Sequence, residues 1–307
     1  MQGIDIARDF YLNAVKPMLE VEFAQYKDRI AVGLVGHGSE CFGFDDEVSC
    51  DHDFEPSLCL WITREDELEF GFKLFRAYSK LQAEYCHGQK CQKSIGASNS
   101  RGVMTIEDFY KQYTGCEGAP ETLEEWLYTP SCYLSEATNG EVFCDELGMF
   151  SSIRDRIKNG MPEDVRRKKI GSCAFYMAQS GQYNYERCLK HGERGAARLA
   201  LDEFVKNAIE ISFLLEGSHM PYYKWSFRAL RKLGQGDMAD MLEELLSMPA
   251  DKTEDISIQI ERVSSKVIQK IKVLGLSESD DEYLEAHAYS INSKIIDHKL
   301  RNMPVMI

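Results

Sequence analysis

The 307-residue sequence predicts an α+β protein whose first half alternates strands with helices and whose second half is all-helical. Two short apolar runs, Ile30-Ala31-Val32-Gly33-Leu34-Val35 and Leu58-Cys59-Leu60-Trp61-Ile62, have the length and composition of buried strands. Segments with helical spacing lie before and after these runs. Beyond about Pro162 the patterns are long and helical, without convincing strands. That change in character gives an expected first domain over residues 1–160 and an expected helical bundle over residues 161–307.

In chain order, Asp5 to Tyr26 reads as a helix that Pro17 bends, because proline brings no amide donor to the ladder. The first strand then runs into Gly36-His37-Gly38-Ser39, and the second strand ends at Ile62. Between Glu65 and Tyr85, the residues Leu68, Phe72, Phe75 and Tyr78 recur at helical spacing and predict one apolar helix face. Gln92 to Arg101 is polar and contains glycine, so it reads as a loop. Val103 to Ile106 is a further strand candidate, followed by a helix start over Glu107 to Tyr113. Glu141-Val142-Phe143 is strand-like and precedes a turn at Asp145 to Gly148. In the second half three stripes predict core helices: Leu201, Phe204, Val205, Ala208, Ser212 and Leu215; Met238, Met241, Leu242, Leu245 and Leu246; and Ile256, Ile260, Val263, Val267, Ile271 and Leu274.

Composition bounds the function. Hydrophobic residues at 44% and charged residues at 28% belong to a globular chain, not a disordered one. The net charge of −14 argues against tracking a nucleic-acid backbone, which needs clustered Lys and Arg, although it permits a local basic pocket. Ten cysteines could suggest a disulfide scaffold, but a chain this long and this well supplied with apolar residues does not need one, and no Cys-x-x-Cys occurs. Cys86-His87-Gly88-Gln89-Lys90-Cys91 is the one tight cluster and lacks the second half that a zinc site needs. The N-terminal MQGIDIARDFY has no signal pattern and no apolar run approaches membrane-spanning length, so the expected compartment is cytoplasmic.

The chemistry concentrates in GLVGHGSECFGFDDEVSCDHDF, Gly33 to Phe54. Glycines and a small hydroxyl after a buried strand let backbone N–H groups gather around phosphate oxygens. In Asp51-His52-Asp53, an extended backbone turns both carboxylates to one face, where they repel unless a cation sits between them. Mg²⁺ with a substrate's phosphates satisfies that need. Other phosphate and metal motifs do not fit. No Gly-Lys-Ser/Thr follows as in a Walker loop, and an EF-hand beginning at Asp51 would place Pro56 where the turn glycine belongs. Asp45, Asp46 and Glu47 form a charge run of the kind that usually faces solvent.

Gly38-Ser39 followed by Ser49, Asp51 and Asp53 resembles the signature of the nucleotidyltransferase superfamily that includes DNA polymerase beta and kanamycin nucleotidyltransferase. The longer string from Gly38 to Phe54 is similar to a group of uncharacterised bacterial proteins with such a domain. Thr138 to Phe150, Gly181 to Arg187 and Met220 to Trp225 extend that similarity over most of the chain. The resemblance implies a nucleotidyltransferase-type mixed sheet with flanking helices. It implies Asp51 and Asp53 as catalytic residues binding Mg²⁺, in a one- or two-ion site, and Gly38 and Ser39 on the terminal phosphates of a nucleoside triphosphate such as ATP. The implied reaction moves a nucleoside monophosphate to an acceptor hydroxyl, with pyrophosphate leaving.

The family pattern is incomplete at the third carboxylate, which the strand Gly102 to Ile106 lacks; Glu107, Asp108 and Asp145 are the nearby acids. His37 reads as a turn residue and His52 points away from Asp51 and Asp53. In the helical half, Pro221 suits a helix start, and Lys224 with Arg228 at i and i+4 offers positive charge to a triphosphate beside Tyr223 and Trp225. Lys224 is the better candidate of the two, and Glu186 is a candidate base. The expected function is an Mg²⁺-dependent nucleotidyltransferase acting on a small-molecule or protein acceptor, without nucleic acid or membrane partner. Two alternatives stand beside it: a catalytically silent nucleotide-binding regulator of the same fold, and a synthase of a nucleotide signal.

Overall fold

The computed structural model describes residues 2–46, 57–85 and 101–307. Asp51, Asp53 and the run from Cys86 to Cys91 lie outside the described residues. Two compact units divide the chain, Met1–Gly160 and Met161–Ile307.

The first unit is α+β. Its strands are β1 (Ala31–Leu34), β2 (Cys59–Ile62), β3 (Gly102–Thr105) and β4 (Glu141–Cys144), in the sheet order β3-β2-β1-β4. β1 is antiparallel to β2, with Val32 opposite Leu60 and Gly33 opposite Cys59, and antiparallel to β4 on its other side. β2 and β3 are parallel, so a helical crossover must join them. All four residues of β1 and of β2 are buried, which explains why these strands read as continuous apolar runs rather than alternating ones.

Both faces of the sheet are covered. Val32, Leu34, Leu58, Leu60 and Ile62 pack against α1 (Gly3–Phe10), α2 (Lys16–Glu22) and the crossover helix. On the opposite face Trp61 stacks on Phe150 with ring centroids 3.7 Å apart and meets Phe109 edge-on at 5.3 Å. Such contacts add about 0.5–1.5 kcal/mol beyond area burial. Gly33 lies on this face, where a Cβ would collide with the Glu141 carbonyl and the Trp61 ring; the β1–β4 register shifts at the same point.

Two helices of the first unit depart from a simple α pattern. The expected helix from Asp5 to Tyr26 is α1, a π-helical turn over Tyr11–Val15, and α2. Pro17 lies in the first turn of α2, and the wide turn ends just before the residue that cannot donate. A second π-helical turn, Glu67–Gly71, separates α4 (Arg64–Asp66) from α5 (Phe72–Tyr85) and corrects the expected apolar face. Phe70, Leu74 and Tyr78 are buried, whereas Leu68, Phe72 and Phe75 are 90%, 74% and 53% exposed. Tyr78 accepts from the Leu58 amide at 2.8 Å and thereby anchors α5 to the entrance of β2.

The remaining elements of the first unit are the short α3 (Ser39–Phe42), α6 (Ile106–Thr114), α7 (Leu123–Tyr128), α8 (Ser131–Thr138) and α9 (Met149–Asn159). Thr105 caps α6 by accepting from the Asp108 amide, and Thr122 with Glu125 forms a capping box on α7.

The second unit is all-helical among the described residues: α10 (Glu163–Met177), α11 (Glu186–Lys190), α12 (Arg194–Leu215), α13 (Tyr223–Lys232), α14 (Gly236–Ser247), α15 (Thr253–Val273), α16 (Leu284–Ser293) and α17 (His298–Asn302). Its core contains Leu201, Phe204, Ala208, Leu242, Ile260, Val263 and Ile271 from the expected stripes; Leu274 falls beyond the end of α15 and is half-exposed. A π-helical segment, Ala178–Tyr185, joins α10 to α11, and a side chain at Gly181 would strike the Phe204 ring. Among the described residues no helix is long and apolar enough to cross a membrane.

Candidate functional site

The candidate site is built on the turn that leaves β1. Gly36 and Gly38 have φ of +115° and +122°, a region that side-chain-bearing residues rarely adopt. Space is a second constraint at Gly36, where a Cβ would stand 2.6 Å from the Tyr113 hydroxyl. Asn139, just after α8, fastens the turn. Its Oδ1 accepts from the Gly36 amide and its Nδ2 donates to the Gly36 carbonyl, both at 2.8 Å. The Gly140 amide donates to the Cys41 carbonyl at 2.7 Å, and Arg154 of α9 donates to the carbonyls of Asn139 and Gly140. The segment from Thr138 onward thus braces the turn.

Arg101, immediately before β3, is the second brace. Its guanidinium donates to the Ser57 hydroxyl at 2.9 Å and to the His37 carbonyl at 3.2 Å, and it pairs with Glu40 of α3. The Glu40 carboxylate lies beside Gly38, close enough that a Cβ there would overlap it. A phosphate approaching Gly38 therefore meets a carboxylate whose charge Arg101 offsets. Antiparallel pairing brings the chain entering β2 alongside the chain leaving β1, and Arg101 ties the two together through Ser57 and His37.

His37 is paired as well. Its Nδ1 lies 2.7 Å from Oε2 of Glu136 on α8; the Glu136 side chain is 12% exposed and that of His37 49%. The hydrogen bond to Glu136 raises the His37 pKa, with burial opposing it, the Glu136 charge adding to it and the Arg101 charge lowering it. Burial pushes the Cys41 thiol well above its usual value and the Cys59 thiol up to about 11, so both are neutral at physiological pH. The seven cysteines among the described residues are all free.

Of the residues expected from the sequence, Gly38 and Ser39 stand together at the turn, with Ser39 as the first residue of α3 and Gly38, not Ser39, at the cap position. Asp51 and Asp53 fall outside the described residues. Lys224 is exposed on α13 of the second unit, its Nζ 4.6 Å from the centre of the Trp225 ring, with the Arg228 guanidinium 5.7 Å from the same ring. Pro221 precedes that helix rather than opening it. Glu186 pairs with Lys190 at 3.2 Å and lines an open groove of about 860 Å³ between α11 and α15.

The three acids near the expected third-carboxylate position differ in their engagements. Asp108 faces Arg64 at 3.3 Å, and Asp145 accepts from the Ser151 amide at 2.7 Å at the start of α9. Glu107 has a buried carboxylate oxygen without a hydrogen-bond partner among the described residues. Asp45, the first residue of the acidic run, accepts from the Gly3 amide at 2.7 Å and so anchors the start of α1. Glu136, Asn139 and Arg101 were not anticipated from the sequence. Each is a common polar residue 60 or more positions from its partner in the turn, with no motif to mark it.

Residues 126–226 match a family described as a domain of unknown function, DUF4037. No curated protein matches the chain. Among solved structures, a nucleotidyltransferase-like protein from Exiguobacterium sibiricum 255-15 is similar at 14% identity, over 87% of this chain and 80% of that one, with a TM-score of 0.38.

Proposed function

We propose that the chain is an Mg²⁺-dependent nucleotidyltransferase that moves a nucleoside monophosphate from a nucleoside triphosphate to a hydroxyl of a small-molecule or protein acceptor. The observation that carries the reading is the turn after β1. Two positive-φ glycines lead into Ser39, and Arg101 holds the chain that enters β2 against that turn. In this reading the backbone amides of Gly38 and Ser39 meet the terminal phosphates, and Ser39 adds its hydroxyl.

Asp51 and Asp53, which precede β2, are the residues that would hold Mg²⁺. Carboxylate oxygens suit this hard cation. When bound, Mg²⁺ would offset charge on the triphosphate. The net charge of −14 favours a small-molecule or protein acceptor over nucleic acid.

A catalytically silent nucleotide-binding protein is the second reading. It is favoured by β3, whose residues Gly102-Val103-Met104-Thr105 include no acid, and by the engagement of Asp108 and Asp145 elsewhere. Glu107 is the acid through which an active enzyme would complete the set.

Thermal unfolding with Mg²⁺ and ATP, GTP, CTP or UTP tests the binding that both readings share. A ligand at a hundred times its Kd stabilises the native state by about 2.7 kcal/mol. A rise in Tm with one triphosphate, lost in the Asp51→Asn, Asp53→Asn double variant, is the expected result. An undiminished shift in the double variant would overturn the proposed metal site. Release of pyrophosphate on acceptor screening, abolished by Glu107→Gln, would separate the enzyme from the silent binder.

A further inference from the structure

We propose that His37, oriented by Glu136, is the proton donor on the leaving-group side of the turn: a protonated imidazole that hydrogen-bonds the terminal phosphates and hands its proton to the departing pyrophosphate. The proposal rests on the nucleotidyltransferase reading and names a group that the reading does not otherwise require.

The pair is an ion pair by distance, with Oε2 of Glu136 off the line of an aligned N–H···O bond. Glu136 is a nearly buried carboxylate whose ion-pair partner among the described residues is His37, at 2.7 Å. A carboxylate in that position favours the charged form of its partner, because an unpaired buried charge is costly. With Nδ1 facing the Glu136 carboxylate, Nε2 is the ring nitrogen turned to a ligand, on a side chain that is half exposed. His37 immediately precedes Gly38 and Ser39, so the ring belongs to the turn assigned to the terminal phosphates.

The other groups around the ring do not reverse this state. Arg101 opposes protonation, but its guanidinium is paired with Glu40 of α3. Tyr113 of α6 lies with its ring centre 5.4 Å from that of His37, and burial keeps its phenol protonated. Cys41 of α3 donates through Sγ to the His37 carbonyl at 3.5 Å, and both this thiol and that of Cys59 on β2 are held neutral by burial.

In-line displacement decides between acid and base. The attacking hydroxyl and the leaving pyrophosphate stand on opposite sides of the α-phosphorus. A group beside the terminal phosphates is placed for the leaving side. The bond from the acceptor oxygen to the α-phosphorus forms while the bond to the bridging oxygen breaks, and that electron pair goes to pyrophosphate. The Nε2 proton passes to the pyrophosphate oxygen, the acceptor's proton passes to water, and the exposed ring regains a proton from solvent.

Calorimetric titration of inorganic pyrophosphate with Mg²⁺ into the full chain, at about pH 6 and about pH 9, tests the assignment. His37→Gln should weaken binding roughly tenfold at the lower pH and leave it nearly unchanged at the higher. Glu136→Gln should move the point where wild type and His37→Gln converge to lower pH. NMR titration of the His37 ring should give a pKa above that of an ordinary histidine in the wild type and a lower one in Glu136→Gln, a readout independent of any ligand. Equal affinities of wild type and His37→Gln at both pH values, with pyrophosphate still bound, would overturn the proposal and leave the nucleotidyltransferase reading standing. Failure of the wild type to bind pyrophosphate or any triphosphate would remove both.

Discussion

Asn139 satisfies both backbone polar groups of Gly36, accepting from its amide and donating to its carbonyl at 2.8 Å each. The side-chain amide thereby pairs with the backbone two residues beyond Leu34, where the pairing of β1 with β4 ends, and fastens the glycine turn to the segment that leads into β4. Asn139→Ala removes both bonds at a partly buried position and should destabilise the first unit by about 1–3 kcal/mol. Asn139→Asp keeps the acceptor but sets a carboxylate oxygen against the Gly36 carbonyl, so it should not restore the loss. Urea midpoints at constant m-value measure both. Wild-type stability in Asn139→Ala would mean that water replaces the side chain without cost.

Gly36 combines two constraints that can be separated. Gly36→Ala must accommodate φ of +115° and a Cβ 2.6 Å from the Tyr113 hydroxyl. Backbone strain of this kind costs about 1–3 kcal/mol. Tyr113→Phe removes the hydroxyl without changing the backbone, so the double variant should recover part of the loss and no more. Complete recovery would assign the whole effect to collision with Tyr113; no recovery would assign it to φ alone.

β1 and β2 were legible because each is a short apolar run, and they lack polar alternation for the same reason that they are buried on both faces. The turn was legible in Gly36, Gly38 and Ser39, since glycine after a buried strand has a local backbone meaning. Its supports were not. Glu136 and Asn139 reach the turn through the β1–β4 pairing and Arg101 through the β2–β3 pairing, and nothing in their own neighbourhoods announces it. The π-helical turns were also hidden, because a widened turn leaves composition unchanged and shifts only the phase.

The His37–Glu136 pair carries a pH signature in stability. Pairing raises the folded-state pKa of His37 above its unfolded value, with the hydrogen bond to Glu136 the largest cause. Its stabilisation is therefore fully present below the unfolded pKa of about 6.5 and is lost as pH rises through the higher folded value. The stability difference between wild type and Glu136→Gln should be larger at about pH 6 than at about pH 8.5. A difference that grows with pH in paired denaturation curves would have the wrong sign and would rule out a protonated imidazole as the partner.

The phase shift in the helix after β2 makes opposite predictions for neighbouring apolar residues. Uninterrupted α-helical spacing from Leu68 puts Phe72 and Phe75 on the core face with Tyr78. The π-helical turn at Glu67–Gly71 instead turns Phe70, Leu74 and Tyr78 inward and leaves Phe72 in solvent. Leu74→Ala should then cost about 2–5 kcal/mol, the usual range for emptying a buried leucine site. Phe72→Ser should stay within about 0.5 kcal/mol of wild type, as surface changes generally do. The contrast is informative because Phe72 is the larger side chain, so any account based on hydrophobicity without phase ranks the two the other way. If Phe72→Ser proved the more damaging substitution, the turn at Glu67–Gly71 would be a regular α-turn in solution. The anchor from Tyr78 to Leu58 helps to choose between these phases: it fixes the rotation of α5 at the strand it packs against, and from Tyr78 backward the spacing selects Leu74 and Phe70.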